Sequence, residues 1–262
     1  LDSTIEGEEG DTGNSYAAGD KVDLSLPKSQ INLLEAVVKT NTPTIVIISS
    51  GSNMDLTYID EHCAAIIQDW YSGSRGGEAL AQILFGEYSP SARLPITFYR
   101  SVDQLPDFKD YSMEGRTYRY FKDTPLYPFG YGLSYTNFEY SDLVLDKTEI
   151  KPGEDLELTV SVKNTGKVSG DEVVQVYIRD LESDYIVANH SLCGFKKVSL
   201  DAGESKTVKF VVPADSMSVV LDNGERTIEP GRFTIFVGGQ QPDKRSNELT
   251  GKECLEVSFE VQ

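Results

Sequence analysis

Four acidic residues lie close together near the start of the chain, and their spacing could support acid catalysis. They are Glu6, Glu8, Glu9 and Asp11, in the Gly-rich stretch IEGEEGDTGNSYAAGDK. Neighbouring carboxylates repel, which favours one protonated member at neutral pH, and a protonated carboxyl is what a general acid requires. Because spaced glycines form no regular element, the residues by themselves favour a plainer interpretation, a solvated acidic loop.

Two other groups of residues could suggest chemistry, and each has a structural explanation that we favour. Gly73, Gly76 and Gly77 precede a predicted helix, as in a phosphate cradle, but neither a GxGxxG nor a Walker spacing is present, so we expect close backbone packing. Asp60 and His62 could form part of a hydrolase dyad. Since no nucleophile elbow accompanies them, we expect surface or helix-end residues.

The segment from Arg116 to Tyr120 alternates basic and aromatic side chains, which could stack on sugars or bases. These side chains are Arg116, Tyr118, Arg119 and Tyr120. The acidity of the chain disfavours nucleic acid. We therefore predict a structural role, with arginine paired to acids across the domain interface and tyrosine filling that interface.

The composition limits the partners of this 262-residue chain. Its net charge of −18 argues against nucleic acid and anionic lipid, and favours a neutral substrate. No run approaches the roughly 20 apolar residues of a membrane span, so we expect no membrane contact.

Cys63, Cys193 and Cys254 share no metal-like spacing. They predict neither a metal site nor a disulfide framework. No cofactor is implied by the sequence. Unpaired cysteines favour a reducing compartment.

Hydrophobic spacing in the first hundred residues predicts an α/β layer. Apolar residues three and four apart predict a helix over 27–39, and the β-branched run over 44–49 predicts a strand buried on both faces. A second strand is predicted over 64–70, including Trp70, and a helix over 78–85. Helices alternating with strands are typical of a parallel sheet.

The pattern changes after residue 137, where strand-like runs alternate with turn signals. Runs at 156–163, 173–179, 207–212 and 232–237 are separated by turn pairs such as Pro152-Gly153 and Asn223-Gly224. The pattern predicts a seven-stranded antiparallel sandwich of the fibronectin type III kind. We expect its aromatic residues to lie in the core: Tyr177, Phe195, Phe210, Phe233 and Phe236.

The aromatic and Gly-rich segment from Tyr127 to Tyr140, YPFGYGLSYTNFEY, separates these two patterns. Flexible linkers are poor in aromatic residues, so we expect this segment to be an ordered, buried junction.

Several long motifs, in order along the chain, resemble the C-terminal half of the glycoside hydrolase family 3 enzymes. They are WYSGSRGGEALAQILFGEYSPSARLPITF, GRTYRYF, the junction segment, VVQVYIRD and GFKKVSLDAGESKTVKF. The first departs from the family pattern at Ser72, Ser89 and Ala92, where Pro, Asn and Gly are usual.

The resemblance implies a domain organisation. Residues 1–98 would form the second half of the family's α/β sandwich domain, 99–137 an ordered aromatic-rich linker, and 138–262 a fibronectin type III-like domain. The family's catalytic (β/α)8 barrel precedes these domains and is absent from this sequence, since a barrel needs roughly 250 further residues. With Leu1 as its first residue and no leader, the chain is expected to begin within something larger, or after processing.

The resemblance also implies which residue acts. Retaining glycosidases need a nucleophile and an acid/base; in this family the nucleophilic Asp lies on the barrel and the acid/base Glu on a loop of the α/β domain. The family's Gly-Glu pair matches Gly7-Glu8, and its later Gly-Asp-Arg matches Gly19-Asp20-Lys21. Glu8 is therefore the expected acid/base, with Glu6 and Glu9 as alternatives, because a loop permits a one-residue slip. Asp20 and Lys21 are expected to brace the loop.

The resemblance implies a β-glycosidase, with β-glucosidase favoured, acting on the non-reducing ends of β-linked glucosides or oligosaccharides. β-Xylosidase and α-arabinofuranosidase remain alternatives, because the pocket that selects the sugar lies mostly on the barrel. No substrate-binding residue is assigned in this chain. A non-catalytic carbohydrate-binding module is a third alternative. The barrel would have to be supplied by a partner chain or by another segment of the same enzyme. Without it, this chain is expected to be inactive.

Overall fold

A computed structural model of the chain describes residues 23–107 and 109–262. These residues fall into two compact units. The first comprises the described residues up to Gly77, with Phe98–Tyr111 and Asp123–Leu126; the second comprises Glu78–Thr97, Ser112–Lys122 and Tyr127–Gln262. Each unit therefore draws on segments that are distant in sequence.

The first unit contains a strand–helix–strand arrangement preceded by a helix. Its elements are α1 (Lys28–Val38), β1 (Ile45–Ile48), α2 (Thr57–His62) and β2 (Ala65–Gln68), followed by α3 (Gly76–Leu84), whose residues from Glu78 belong to the second unit. The predicted helices and strands are confirmed, whereas α2 was not predicted. Pro27, with φ −51°, precedes α1, as expected of a residue that suits a helix start but cannot extend one backwards.

β1 and β2 pair in parallel, with Ile45 opposite Ala65 and Ile48 opposite Gln68. The prediction that β1 is buried on both faces is wrong, because Ile45 and Ile47 are 50% and 39% exposed. Alternate residues of a strand lie on the same face, so the face of β1 that carries Ile45 and Ile47 is open in the described part of the chain. Trp70 lies beyond the end of β2, in the following loop, and not in the strand as predicted.

The second unit is dominated by strands. They are β3 (Phe138–Leu145), β4 (Glu149–Ile150), β5 (Leu156–Asn164), β6 (Gly170–Asp180), β7 (Ser191–Leu200), β8 (Ser205–Val212), β9 (Val219–Val220), β10 (Arg226–Thr227), β11 (Gly231–Gly238) and β12 (Leu255–Val261). Two short helices accompany them, α4 (Thr117–Tyr120) and α5 (Lys244–Thr250).

The strands form the predicted β-sandwich. One sheet has the order β4-β12-β11-β6-β7, the other β3-β5-β8, and β9 pairs with β10 in a separate hairpin. The seven long strands pair antiparallel throughout, and the two-residue β4 adds a parallel edge to β12. In β5 the alternate residues Leu156, Leu158, Val160 and Val162 are buried, since a strand turns every second side chain to the core.

One of the predicted core aromatics is on the surface. Tyr177, Phe210 and Phe233 are buried, Phe236 is half-buried, but Phe195 is 66% exposed. Phe195 lies on β7, an edge strand, and pairs with Gln175 of β6. Period-two alternation identifies the two faces of a strand, but it does not tell how far the neighbouring layer extends over its edge.

The junction from Tyr127 to Tyr140 belongs entirely to the second unit. Within that unit, Phe129 stacks on Tyr118 with ring centroids 4.2 Å apart. Leu133 and Tyr135 are exposed, so the expected burial holds for only part of the segment. Part of the segment packs on β6, where Gln175 Nε2 donates a hydrogen bond to the Gly130 carbonyl oxygen at 3.0 Å.

The described part of the chain contains no helix that is long and apolar enough to cross a membrane. All three cysteines are free and half-buried. No group of three or more potential metal ligands occurs among the described residues.

Candidate functional site

The expected acid/base Glu8 lies outside the described residues, as do its alternatives Glu6 and Glu9 and the bracing candidates Asp20 and Lys21. The structure does describe the chain just after this acidic stretch. There the Asp55 N–H donates a 2.7 Å hydrogen bond to the carbonyl oxygen of Leu24, and Leu26 is buried. The chain at Leu24 is thus fastened to the loop that follows β1.

This attachment has a topological reason. Because β1 and β2 are parallel, the loops that follow them leave the sheet at the same edge, where open α/β sheets bind ligands. We call Ser49–Asp55 and Asp69–Ser72 the carboxyl-edge loops. The bond between Asp55 and Leu24 brings the segment before α1 to this same edge.

The carboxyl-edge loops carry two carboxylates, Asp55 and Asp69. Asp69 lies directly after β2. Its N–H donates to the Ile48 carbonyl oxygen at 2.8 Å, which continues the pairing of the two strands by one bond. Its Oδ2 accepts hydrogen bonds from the hydroxyls of Ser49, at 3.3 Å, and Ser72, at 3.1 Å. The carboxylate is therefore held at the edge by one hydroxyl from each loop.

Two amide side chains at this edge are incompletely paired. Gln68 Nε2 donates to the Ser50 carbonyl oxygen at 2.9 Å, but the buried Gln68 Oε1 has no hydrogen-bond partner. The buried Nδ2 and Oδ1 of Asn53 also have no partner. Leaving a buried polar atom unpaired costs about 1–3 kcal/mol. Such atoms therefore need an explanation, for which a ligand or an ordered water is the usual one.

Two aromatic residues follow Asp69. Trp70 has φ +52°, a left-handed conformation that is rare for a bulky side chain, and its ring meets Phe98 edge-on at 6.3 Å. Tyr71 is 74% exposed. Strained backbone of this kind occurs preferentially at functional sites.

The other sequence candidates are structural in their described contacts. Gly76 is closely packed, as predicted, because a Cβ there would lie 2.0 Å from Ser72 Oγ. The same prediction is wrong for Gly73 and Gly77, where a Cβ would meet open space; Gly73 has a left-handed φ of +69°. Asp60 and His62 are exposed on the short helix α2, in agreement with the prediction of helix-end residues.

The aromatic and basic segment also packs within its own unit. Besides stacking on Phe129, Tyr118 accepts a 3.0 Å hydrogen bond from the Leu192 N–H, and burial raises its pKa. The Arg119 guanidinium lies over the Tyr120 ring at 5.4 Å. Tyr118 thus has the predicted packing role, whereas the described contact of the Arg119 guanidinium is with an aromatic ring and not with an acid as predicted.

The second unit has a cleft of about 530 Å³ beside a buried ion pair. Arg93 Nη2 donates to Glu172 Oε2 at 2.8 Å, Arg93 Nε donates to the Gly239 carbonyl oxygen, and the Tyr140 hydroxyl donates to Glu172 Oε1 at 2.6 Å. Both carboxylate oxygens are thus occupied by protein donors. This cluster joins segments of the second unit and leaves no reactive carboxylate for substrate.

Sequence reasoning missed the carboxyl-edge loops. Their polar residues directly follow the two predicted parallel strands, and that position was the available signal.

Comparisons with known proteins agree with this architecture. Residues 1–135 match the model of the glycosyl hydrolase family 3 C-terminal domain, and residues 172–241 match a fibronectin type III-like domain. Both domains are characteristic of one class of carbohydrate-active enzymes, the glycoside hydrolases. The chain belongs to glycoside hydrolase family 3.

Relatives with established names are similar over most of the chain. A β-xylosidase of Formosa agariphila is 40% identical over 244 residues, covering 89% of this chain and 33% of the relative. A periplasmic β-glucosidase of Salmonella typhimurium is 36% identical, covering 86% and 31%. Among solved structures, a β-glucosidase from Erythrobacter marinus superimposes with a TM-score of 0.79 at 33% identity, covering 93% of this chain and 31% of that one. The chain thus spans about a third of the length of these relatives.

Proposed function

We propose that this chain is the C-terminal portion of a retaining β-glycosidase, and that it supplies the acid/base carboxyl, Glu8, to an active site whose nucleophilic Asp lies on a (β/α)8 barrel. The substrate is a non-reducing terminal β-linked glucoside or oligosaccharide. The domain boundaries proposed with this function are 1–98, 99–137 and 138–262.

The observation that carries the proposal is the match of residues 1–135 to the family 3 C-terminal domain, because this range includes the Gly7-Glu8 pair. The attachment of Leu24 to Asp55 supports it further. A loop that ends at the carboxyl edge of a parallel sheet is suited to present a side chain to a ligand there.

In the proposed reaction, Glu8 works twice. As an acid it protonates the glycosidic oxygen while the nucleophilic Asp attacks the anomeric carbon, which breaks the bond to the leaving alcohol and forms a glycosyl-enzyme. As a carboxylate it then removes a proton from water, and the oxygen of that water displaces the Asp. Glu8 ends protonated, ready for the next cycle.

β-Xylosidase activity is the second candidate. Two of the relatives, 40% and 39% identical, are named β-xylosidases, whereas the β-glucosidase of Salmonella typhimurium is 36% identical. Several solved structures that resemble the chain are β-glucosidases, including one from Listeria innocua at 28% identity. Comparing aryl β-glucoside with aryl β-xyloside hydrolysis decides between the two sugars.

The test combines the chain with its barrel and measures hydrolysis of an aryl β-glucoside. Glu8→Gln should lower kcat by at least about a hundredfold, the low end of general acid–base contributions. Glu6→Gln and Glu9→Gln are the matched controls from the same acidic stretch, and they should retain most activity.

Azide rescue assigns the role of the carboxyl. In a Glu8→Gly variant, azide should restore turnover and yield a β-glycosyl azide, because an anionic nucleophile needs no general base. If azide instead rescues Glu9→Gly and leaves Glu8→Gly inactive, the acid/base is Glu9 and the assignment to Glu8 fails.

A further inference from the structure

We propose that the carboxyl-edge loops of the first unit form a binding subsite for a sugar ring of the substrate, with Tyr71 as its stacking platform and Asp69 as a partner of its hydroxyl groups. This subsite deepens the proposed function and rests on it for the class of ligand.

Tyr71 is exposed yet held in place. Single exposed aromatic residues are common on protein surfaces and mean little by themselves. Here the Tyr71 ring contacts Gly51 of the neighbouring loop so closely that a Cβ on Gly51 would lie 2.6 Å from Cε2 of the ring. With 74% of Tyr71 still exposed, the ring is braced by one loop and open to a ligand.

The backbone before Tyr71 adopts a costly conformation. Trp70 has φ +52°, which places the following residue out of line with β2. A non-Gly residue in this region persists only when the surroundings hold it there. The contact of Trp70 with Phe98 supplies part of that support.

Asp69, two residues before Tyr71, offers an acceptor in the same loop. Both serine hydroxyls bind its Oδ2, and no donor among the described residues binds its Oδ1. A carboxylate oxygen without a protein donor can accept hydrogen bonds from sugar hydroxyls. The small Gly76 is needed for this arrangement, because a Cβ there would displace the Ser72 hydroxyl that holds Asp69.

Unpaired polar atoms are concentrated at the same edge. In the described part of the chain, six buried side-chain atoms lack a hydrogen-bond partner, and three of them belong to Asn53 and Gln68. Asn53 lies two residues from Gly51, and Gln68 directly precedes Asp69. Unpaired polar groups in the loop that contacts Tyr71 and at the end of β2 are of the kind that a polar ligand completes.

The chemistry favours a neutral pyranose. A ring with an apolar face and several hydroxyls matches an open tyrosine beside a carboxylate, whereas a phosphate or a carboxylate ligand would be repelled by Asp69 and by a chain of net charge −18. A β-linked disaccharide such as cellobiose supplies this chemistry.

Trp70 provides a local reporter for the experiment, because it is the only tryptophan of the chain. Cellobiose titrated into the 262-residue chain should change Trp70 fluorescence with a saturating curve and a Kd on the order of millimolar. Tyr71→Ala should weaken binding about tenfold, the size of an aromatic stacking contribution, whereas Tyr71→Phe should bind as the wild type does.

Tyr111→Ala is the matched control, since Tyr111 is 92% exposed in the same unit and lies outside the carboxyl-edge loops. It should bind cellobiose like the wild type. Far-UV circular dichroism verifies that the variants are folded, which is expected because both side chains are exposed.

Two results would overturn the subsite. One is a Trp70 signal that does not respond to cellobiose, which would leave Tyr71 as a contact for another protein surface. The other is equal binding by Tyr71→Ala and Tyr111→Ala. The fluorescence titration measures binding to the chain itself and does not depend on hydrolysis. Failure of Glu8 as the acid/base would appear only in the hydrolysis assay, so the two failures can be told apart.

Discussion

At the scale of single residues, the buried imidazole of His190 links the protonation of one side chain to the stability of the fold. His190 is buried in the second unit against the rings of Tyr118 and Tyr177, with centroids at 5.6 and 5.4 Å. Burial lowers the pKa of His190 from 6.5 to about 4, although interaction with the Gln241 side chain opposes part of this fall; the Arg179 charge adds a smaller lowering. A neutral imidazole is therefore the form compatible with the folded state.

This pKa predicts a pH dependence of stability. Between pH 6.5 and about 4 the unfolded chain binds a proton at His190 and the folded chain does not, so stability is complete above pH 6.5 and falls as the pH drops toward 4. The loss attributable to His190 should reach about 3 kcal/mol. Urea unfolding at a series of pH values should show this slope in the wild type and not in His190→Gln.

His62→Gln is the control for that measurement. His62 is exposed on α2, and its removal should leave the slope between pH 6.5 and 4 as it is in the wild type. Equal slopes in wild type and His190→Gln would mean that His190 does not carry the effect.

At the scale of elements, the junction segment packs on β6 through a glycine. Gly130 has φ +77°, and a Cβ there would lie 2.4 Å from Gln175 Oε1 and 2.7 Å from the Tyr177 hydroxyl. Gln175 Nε2 also donates to the Gly130 carbonyl oxygen at 3.0 Å. The backbone approach of the junction to the sheet thus depends on the absence of a side chain at this position.

Gly130→Ala should lower the free energy of unfolding by about 2–4 kcal/mol, from left-handed strain plus overpacking. Gly153→Ala is a matched comparison, because Gly153 has φ +88° but open space around it. It should lose only the strain contribution, about 1–2 kcal/mol. Equal losses in the two variants, measured by urea unfolding, would show that the close approach at Gly130 carries no cost.

At the scale of the whole molecule, the buried ion pair of Arg93 and Glu172 joins distant parts of the second unit. Arg93 and Glu172 are 79 residues apart in sequence and have side chains only 10% and 3% exposed. Burial raises the pKa of Glu172, and the Arg93 charge opposes that rise. Because both charges are removed from water, each depends on the other to remain stable.

Breaking this pair should be costly. Glu172→Gln leaves the buried Arg93 guanidinium without its counter-charge and should destabilise the second unit by about 3–5 kcal/mol. The exposed pair of Glu114 and Lys122, at 3.0 Å, offers the comparison, and Glu114→Gln should change stability by less than about 1 kcal/mol. A loss below 1 kcal/mol in Glu172→Gln would contradict a structural role for the pair.

Parts of this fold could be read from local patterns, and parts could not. Apolar residues at helical spacing identified α1, and period-two alternation identified β5, since each pattern depends only on backbone geometry within one element. The same patterns misplaced Trp70 and Phe195. A left-handed φ at Trp70 and an edge position for Phe195 depend on what packs beside them, which no local period contains.

The sequence by itself determined the order of the two modules, the family to which the chain belongs and the expectation that Glu8 acts, because long motifs and periods are properties of contiguous residues. Only the tertiary structure brought Ser49 to Asp69, Gly51 to Tyr71 and Arg93 to Glu172. Those contacts depend on strand register and loop conformation, and it is they that turn the edge of a small parallel sheet into a candidate sugar site.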